Sequence, residues 1–139
     1  MSNSNPYGPT LLQHFRAPDN RGTVRNATIT QEGTNPLCGD RVRIEMLVKD
    51  DMVLDAKFSA NACAICVAAT DILTGLVQRA PLDEVETLSV SDVLRALDAE
   101  IPAARMNCVR LPLTVMHGGV QLYRLRAADD ARRPAGGTP

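Results

Sequence analysis

Three separated parts of the chain carry cysteines in contexts that suit metal or sulfur chemistry. Cys38 stands in a turn-forming stretch, and Asp40 follows it at a spacing that lets both side chains face one site across an extended backbone. Cys63 and Cys66 stand where an extended run gives way to a helical one, and Cys108 comes much later. If folding gathers these groups, they form a thiolate-rich site with one oxygen ligand, which suits zinc, iron or sulfur in transit.

The predicted local structure favours the deprotonated thiols, which are the form that binds metals and attacks sulfur. Cys63 and Cys66 are predicted at the N-terminus of a helix, where unpaired amides and the helix dipole lower a thiol pKa. Arg105 precedes Cys108 by about one helical turn, so its guanidinium could lie beside that thiol. Pro112, one turn after Cys108, is expected to bend the segment and expose the sulfur.

Each of these residues also has a purely structural interpretation. A lone cysteine is more often a small buried hydrophobe. A single CxxC pair such as Cys63 and Cys66 also occurs as a zinc half-site, as a redox pair or by chance in an alanine-rich helix. Near Cys108 the structural interpretation is a packed thiol beside a solvated arginine.

Length and composition predict one domain over residues 1–126. The 139 residues are enough to bury a core without disulfides. That core must be aliphatic, because the chain has two tyrosines, two phenylalanines and no tryptophan. Residues 127–139 are polar and contain proline and glycine, so they are expected to form a disordered tail.

Charge and cysteine content exclude several function classes. A net charge of -1 argues against a general nucleic-acid binder. Charged residues or prolines interrupt every apolar stretch, so neither a membrane span nor a secretory leader is predicted. The expected compartment is the cytoplasm, where the four cysteines stay reduced and metal binding or thiol chemistry is favoured over disulfides.

Hydrophobic periodicity predicts an α+β fold. Strands over residues 42–48 and 54–60 form a hairpin around Asp50 and Asp51, and a weaker first strand is predicted over residues 22–30. Helices are predicted over 11–15, from Cys63 to about Arg79, from the capping residue Ser89 to Pro102, and around Cys108 as far as Gly118 and Gly119. This order favours a small three-stranded antiparallel sheet with helices packed on one face.

The chain resembles the U-type iron–sulfur cluster assembly scaffolds, which are the NifU N-terminal, IscU-like and SufU-like proteins. The resemblance runs from about Leu11 to Leu113 and is most specific in the stretch 35–41, NPLCGDR, with Cys63 following it. Its other parts are the stretch 11–15 with Pro18, Asn20 and Gly22, the stretch 55–58, and the stretch 105–108.

The resemblance implies which residues act and on what. Cys38, Asp40, Cys63 and Cys108 match the four family groups that bind zinc or a nascent iron–sulfur cluster. Cys108 also matches a usual acceptor of persulfide sulfur from a cysteine desulfurase. The implied function is to accept sulfur and to hold iron or a nascent 2Fe–2S cluster for transfer to apo-proteins, as a scaffold or sulfur carrier rather than as an enzyme that turns over. The implied partners are the desulfurase and the cluster acceptors, with no nucleic acid and no membrane.

Several positions depart from the family pattern. IscU-like members carry a histidine immediately before the third cysteine, whereas this chain has Asn107, a poor metal ligand. SufU-like members also lack that histidine and often have an arginine where Arg105 stands, but they carry an insertion between the second and third cysteines that is missing here. The stretch 101–105 only weakly resembles the chaperone-binding segment of IscU-like proteins. Cys66 is not a family ligand and could serve as an accessory thiolate.

Three other functions remain open from the sequence. A zinc-bound sulfur acceptor of the SufU type would use the same residues with Zn²⁺ as the bound ion, and a module with purely structural zinc would keep the ligands without the transfer chemistry. A dithiol oxidoreductase would use Cys63 and Cys66 alone, but it leaves Cys38, Asp40 and Cys108 unexplained.

Overall fold

A strongly alternating strand forms the centre of the sheet. In the computed structural model, which describes residues 7–132, β1 (Ile29–Asn35), β2 (Asp40–Lys49) and β3 (Met52–Asn61) form an antiparallel sheet in the order β1-β2-β3. Val42 and Ile44 in β2 are fully buried, whereas their neighbours Arg41 and Arg43 are exposed. One face of the sheet is therefore packed and the other faces solvent.

The helices cover the packed face. They are α1 (Pro9–Arg16), α2 (Ala64–Leu76), α3 (Leu82–Thr87), α4 (Val90–Leu97) and α5 (Met106–Arg132), with a short 3-10 turn at Ala103–Arg105. α5 packs on β1 and β2, and α2 packs on β3. α4 begins at Ser89 with the predicted capping box, in which Ser89 and Asp92 each accept a hydrogen bond from the other's backbone N–H. The predicted α+β class with a three-stranded antiparallel sheet is confirmed.

The first strand lies later in the chain than its predicted range of residues 22–30. β1 begins at Ile29, because Asn26 adopts a left-handed turn with φ 60° that interrupts an extended run. The residues before that turn pair instead with the outer edge of β3. Gly22 N–H donates to the Phe58 carbonyl at 2.8 Å, and Phe58 N–H donates to the Asn20 carbonyl at 2.9 Å.

The last helix is much longer than predicted. Gly118 and Gly119 do not end α5, because the helix faces β1 at this point and continues past it. Gly119 allows the close approach of the two elements, since a Cβ at this position would stand 2.8 Å from Cγ2 of Ile29. α5 also continues through residues 127–132, so the first part of the predicted disordered tail is helical, and residues 133–139 lie outside the described part. Within residues 7–132 no helix has the length and apolar character needed to cross a membrane.

Two details after the hairpin were also predicted incorrectly. α2 ends at Leu76 rather than near Arg79, which instead takes a left-handed conformation with φ 63° in the following turn. α3 follows directly and was not predicted, because six residues are too few for a clear helical periodicity.

A buried carboxylate fastens α1 to α2. The side chain of Asp71 has no exposed surface, and its Oδ2 lies 2.6 Å from Nδ1 of His14. The backbone N–H of Asn20 donates to Oδ1 of the same carboxylate at 2.8 Å. Buried carboxylates are costly without such partners, so this contact fixes how α1 and the chain after it lie on α2.

Candidate metal and sulfur site

The four predicted ligand residues come from three junctions that meet at one end of the sheet. Cys38 lies in the turn between β1 and β2, in which Gly39 takes φ 75°, a conformation that suits glycine, and Asp40 is the first residue of β2. Cys63 is the residue that precedes the first turn of α2, and Cys108 lies in the first turn of α5. The turn and the N-termini of α2 and α5 therefore bring the four side chains into one region.

Three of the four ligand atoms lie close together, and the fourth contacts one of them. The Sγ atoms of Cys38 and Cys108 and a carboxylate oxygen of Asp40 are all within 4.8 Å of each other, and Cys63 is not part of this group. The Sγ atoms of Cys63 and Cys108 are 3.4 Å apart. Tetrahedral zinc sites bring thiolates to about 2.3 Å and carboxylate oxygens to about 2.0–2.2 Å from the ion, so an ion bound by all four residues requires the Cys63 sulfur to move closer to the other ligand atoms.

Asp40 shows that this cluster suits a cation. Its side chain is buried, and Oδ1 accepts a hydrogen bond from the backbone N–H of Cys63 at 3.1 Å. Oδ2 is buried and has no hydrogen-bond partner within the described residues. A buried carboxylate oxygen without a partner is costly, and a positive ion bound by the neighbouring sulfurs would satisfy it.

The three thiols differ in access to solvent. Cys38 is exposed, Cys63 is half-buried and Cys108 is only 2% exposed. The site opens to solvent through a cavity of about 180 Å³, whose walls include Leu37, Ala104, Arg105 and Asn107 in addition to the ligand residues. Leu37 is 89% exposed beside this opening, a feature that the sequence analysis did not single out.

The thiols deeper in the site are not the acidic thiols that the sequence suggested. Burial and the neighbouring Cys63 raise the pKa of Cys108 to about 12. Burial, Asp40 and the two nearby cysteines raise the pKa of Cys66 well above its ordinary range, which corrects its predicted lowering at the helix start. Metal binding at Cys108 must therefore displace a proton from its sulfur.

The predicted accessory residues lie around the cluster in different ways. Arg105 is exposed, and its hydrogen bond to the Cys63 thiol, with the nearby Cys108, raises the arginine pKa. Cys66 is fully buried in the core behind the site. Asn107 lines the opening, but its side-chain oxygen accepts a 3.4 Å hydrogen bond from Arg110.

Residues 6–130 match the family described as the NifU-like N terminal domain. The chain belongs to this family. As a NifU-like domain it is 30% identical over 88% of its length to the bifunctional protein NifU/MnmA of Rubrobacter xylanophilus, but it spans only 25% of that longer protein. It is 26% identical to the iron-sulfur cluster assembly scaffold protein IscU of Aquifex aeolicus, with 86% of this chain and 77% of that protein covered.

Other relatives of this NifU-like domain differ in their described activity. The zinc-dependent sulfurtransferase SufU of Bacillus subtilis is 32% identical, with 82% of this chain and 88% of that protein covered. A crystal structure of the N-terminal part of a nitrogen-fixing NifU-like protein from Brucella abortus has a TM-score of 0.71 at 17% identity, with 86% of this chain and 94% of that chain covered. At 17% identity, the similarity to the Brucella abortus structure shows that the fold is shared.

Proposed function

We propose that this NifU-like domain accepts sulfur from a cysteine desulfurase and holds iron or a nascent 2Fe–2S cluster for transfer to apo-proteins. The observation that carries the proposal is the buried Oδ2 of Asp40, which has no hydrogen-bond partner in the described part of the chain and lies beside the sulfurs of Cys38 and Cys108. Three thiols and one carboxylate form a soft donor set that suits iron–sulfur chemistry or zinc. We place this chemistry in the cytoplasm, where free thiols stay reduced.

In this proposal Cys38, Asp40, Cys63 and Cys108 hold the metal. The carboxylate is the harder ligand and exchanges on a soft iron–sulfur site more readily than a thiolate, so Asp40 keeps the cargo transferable. The hydrogen bond from Cys63 N–H fixes the orientation of the carboxylate. Arg105, next to Cys63, offsets part of the negative charge that the thiolates bring.

Sulfur acceptance follows thiol–disulfide exchange. The acceptor thiolate attacks the terminal sulfur of the donor's persulfide, a new S–S bond forms as the donor's S–S bond breaks, and the donor leaves as a thiolate. The sequence assigns this role to Cys108. Its burial makes Cys38 the thiol that a protein-bound persulfide reaches first, after which the short separation of the two sulfurs allows a second transfer to Cys108.

A zinc-bound sulfur acceptor is the second candidate function. It is favoured by Asn107, which replaces the histidine of IscU-like proteins, and by the 32% identity to the zinc-dependent sulfurtransferase. A dithiol oxidoreductase is disfavoured, because Cys66 is fully buried and burial raises its pKa.

Metal analysis after anaerobic purification, followed by reconstitution with iron and sulfide, separates the candidates. A scaffold gains the visible absorption of an iron–sulfur cluster and passes it to an apo-ferredoxin, whereas a zinc-bound acceptor retains zinc and gains no such absorption. Mass spectrometry after incubation with desulfurase and cysteine then locates the persulfide. We expect Cys38→Ser to lose captured sulfur, Cys108→Ser to keep the persulfide on Cys38, and Cys66→Ala to behave as the unmodified protein; persulfide on Cys66 alone would contradict the site.

A further inference from the structure

The thiol site is surrounded by exposed arginines that no carboxylate neutralises. Arg21, Arg41, Arg105 and Arg110 are all exposed, and within residues 7–132 none of them has a carboxylate at ion-pair distance. Their hydrogen bonds go to uncharged groups instead: Arg21 donates to the Ala60 carbonyl at 2.9 Å, and Arg110 donates to an amide oxygen. Arg105 lies beside the Cys63 thiol, whereas Arg41 and Arg110 leave their positive charge toward solvent.

Three of these arginines, Arg41, Arg105 and Arg110, line depressions at the thiol end of the sheet. Arg41 lies next to the ligand Asp40 but points to the solvent face of the sheet, where it lines a depression of about 240 Å³ with Arg43. On the other side Arg110 lines a depression of about 270 Å³ that shares Asn35 and Asn107 with the site cavity. Across these three linings Glu32 is the exposed acidic residue, and Asp40 is buried. We name this surface the arginine rim.

An apolar residue stands inside the arginine rim. Leu37 precedes Cys38 at the tip of the turn and is 89% exposed. An exposed apolar side chain with arginines around it has the composition of a protein-binding surface, in which apolar anchors and arginines carry much of the binding energy. A phosphate backbone offers no complement to such a side chain, so the surface favours a protein over a nucleic acid.

The opposite end of the sheet carries the opposite charge. The turn between β2 and β3 and the short helix α3 present five exposed acidic residues: Asp50, Asp51, Asp83, Glu84 and Glu86. Arg124 pairs with this cluster, at 2.7 Å from Asp83 and 2.9 Å from Glu86, and Lys49 and Arg79 are exposed at the same end, so the acidic residues are in excess but not alone. The ten residues of β2 separate the two ends by about 30 Å. Although the net charge is only -1, exposed arginines are concentrated at the thiol end of the molecule and acidic residues are in excess at the other end.

We propose that the arginine rim docks an acidic surface of the protein that supplies the sulfur, with Leu37 inserted at its centre. The inference rests on the proposed function, and it adds the chemistry by which the donor is recognised: carboxylates placed around the donor's reactive persulfide. The charge separation orients the approaching donor toward the thiol end and away from the acidic end. Docking of this kind brings the persulfide to the exposed Cys38.

Charge reversal at two rim positions tests the proposal. The probe is a cysteine desulfurase from the same organism with cysteine as substrate, and the readout is the initial rate at which persulfide forms on this chain. We compare Arg41→Glu/Arg110→Glu with Arg126→Glu, a matched exposed arginine about 24 Å further along α5. Rates are measured at roughly 10 mM and roughly 1 M salt, where the Debye length is about 30 Å and about 3 Å.

We expect the rim double variant to lose about tenfold or more of the rate at low salt, and to approach the unmodified protein at high salt. Arg126→Glu should stay within about twofold of the unmodified protein at both salt concentrations. An unchanged rate in the rim double variant at low salt, or an equal loss in Arg126→Glu, overturns the proposal.

Glutathione persulfide, a small donor that needs no docking surface, separates this inference from the proposed function. We expect it to load all the variants equally. A loss of loading in the rim double variant would mean that the thiol site itself is damaged, and it would overturn the docking role. If the unmodified chain takes sulfur from neither donor, the proposed function fails and the inference fails with it. Binding of a short single-stranded RNA that the same double variant abolishes would assign the rim to nucleic acid instead.

Discussion

Asp40 is held in place by the fold and is also one of the proposed metal ligands. One carboxylate oxygen is held by the backbone of Cys63, and the other is buried without a hydrogen-bond partner among residues 7–132. The carboxylate is therefore fixed in orientation, and in the proposed function a bound ion is the partner of its second oxygen. In the proposed function this oxygen is also the ligand that leaves most readily.

Replacing this residue tests that role directly. Asp40→Ala is expected to give a longer-lived iron–sulfur cluster, because the exchangeable oxygen ligand is lost, and to slow transfer to an apo-ferredoxin by about tenfold, which corresponds to about 1.4 kcal/mol in the barrier. The decay of the cluster's visible absorption and the rate of acceptor loading measure the two effects. Transfer as fast as in the unmodified protein would rule out the role, and Asp55→Ala, on the same sheet but outside the site, is the control.

At the scale of elements, the position of Cys108 depends on how closely α5 lies on β1. Gly33 in β1 and Gly119 in α5 both stand where a side chain would meet the other element: a Cβ on Gly33 would be 2.6 Å from Cγ2 of Val115. Because α5 carries Cys108 in its first turn, this contact also sets the depth of the thiol in the site.

Adding one methyl group to the contact is expected to be destabilising. In Gly119→Ala the new Cβ would stand 2.8 Å from Cγ2 of Ile29, so the helix must shift, at a cost of about 1–3 kcal/mol in the free energy of unfolding. The neighbouring Gly118→Ala is a matched control, because its Cβ meets the nearest atom of Gln31 at an ordinary 3.5 Å. The control should gain up to about 1 kcal/mol from helix propensity. Urea unfolding distinguishes the two variants, and equal stabilities would contradict the close contact.

The same contact explains which elements the sequence could predict. In the hairpin, β2 alternates buried and exposed residues from Asp40 to Ile44, so the hairpin could be predicted without tertiary information, but the burial of Glu45 and the bulge between Leu47 and Val48 could not. β1 and the full length of α5 escaped prediction because their shared surface is built on glycines, which read as turn or stop signals in a sequence. Whether a glycine ends a helix or lets it pack closely depends on a residue far along the chain, here Ile29.

The candidate site was easier to predict in its residues than in their environment. Spacing and residue type pointed to thiols near Cys38, Cys63, Cys66 and Cys108 with Asp40, and the family resemblance reduced this set to Cys38, Asp40, Cys63 and Cys108; the structure places Cys38, Asp40 and Cys108 in one group. The burial of Cys108 and the exposure of Leu37 depend on what packs over each of them, which local sequence does not specify. For that reason the predicted pKa lowering at Cys66 was wrong.

At the scale of the whole molecule, a bound ion should stabilise the fold. The site joins the β1–β2 turn to the starts of α2 and α5, and an ion that binds only the folded chain adds its binding free energy to the free energy of unfolding. At a free zinc concentration about a hundred times the Kd, that addition is about 2.7 kcal/mol.

The expected result of zinc addition is an increase in Tm of about 5–10 °C for a chain of this size. Differential scanning calorimetry with and without zinc measures it. The increase should disappear in Cys63→Ser/Cys108→Ser and persist in Cys66→Ala, because Cys66 is buried behind the site and contributes no ligand in the proposed set. An equal increase in the double variant would place the zinc elsewhere.

The contact between His14 and Asp71 has a consequence for how the molecule can be shortened. Removing residues 7–18 would delete α1 together with the His14 imidazole. The Asp71 carboxylate, which is now buried between α1 and α2, would then lose this partner and need water in its place. That helix begins right after Cys63, so trimming the front of the chain is expected to loosen this thiol as well. An N-terminal truncation should thus weaken zinc retention even though it deletes none of the groups that hold zinc.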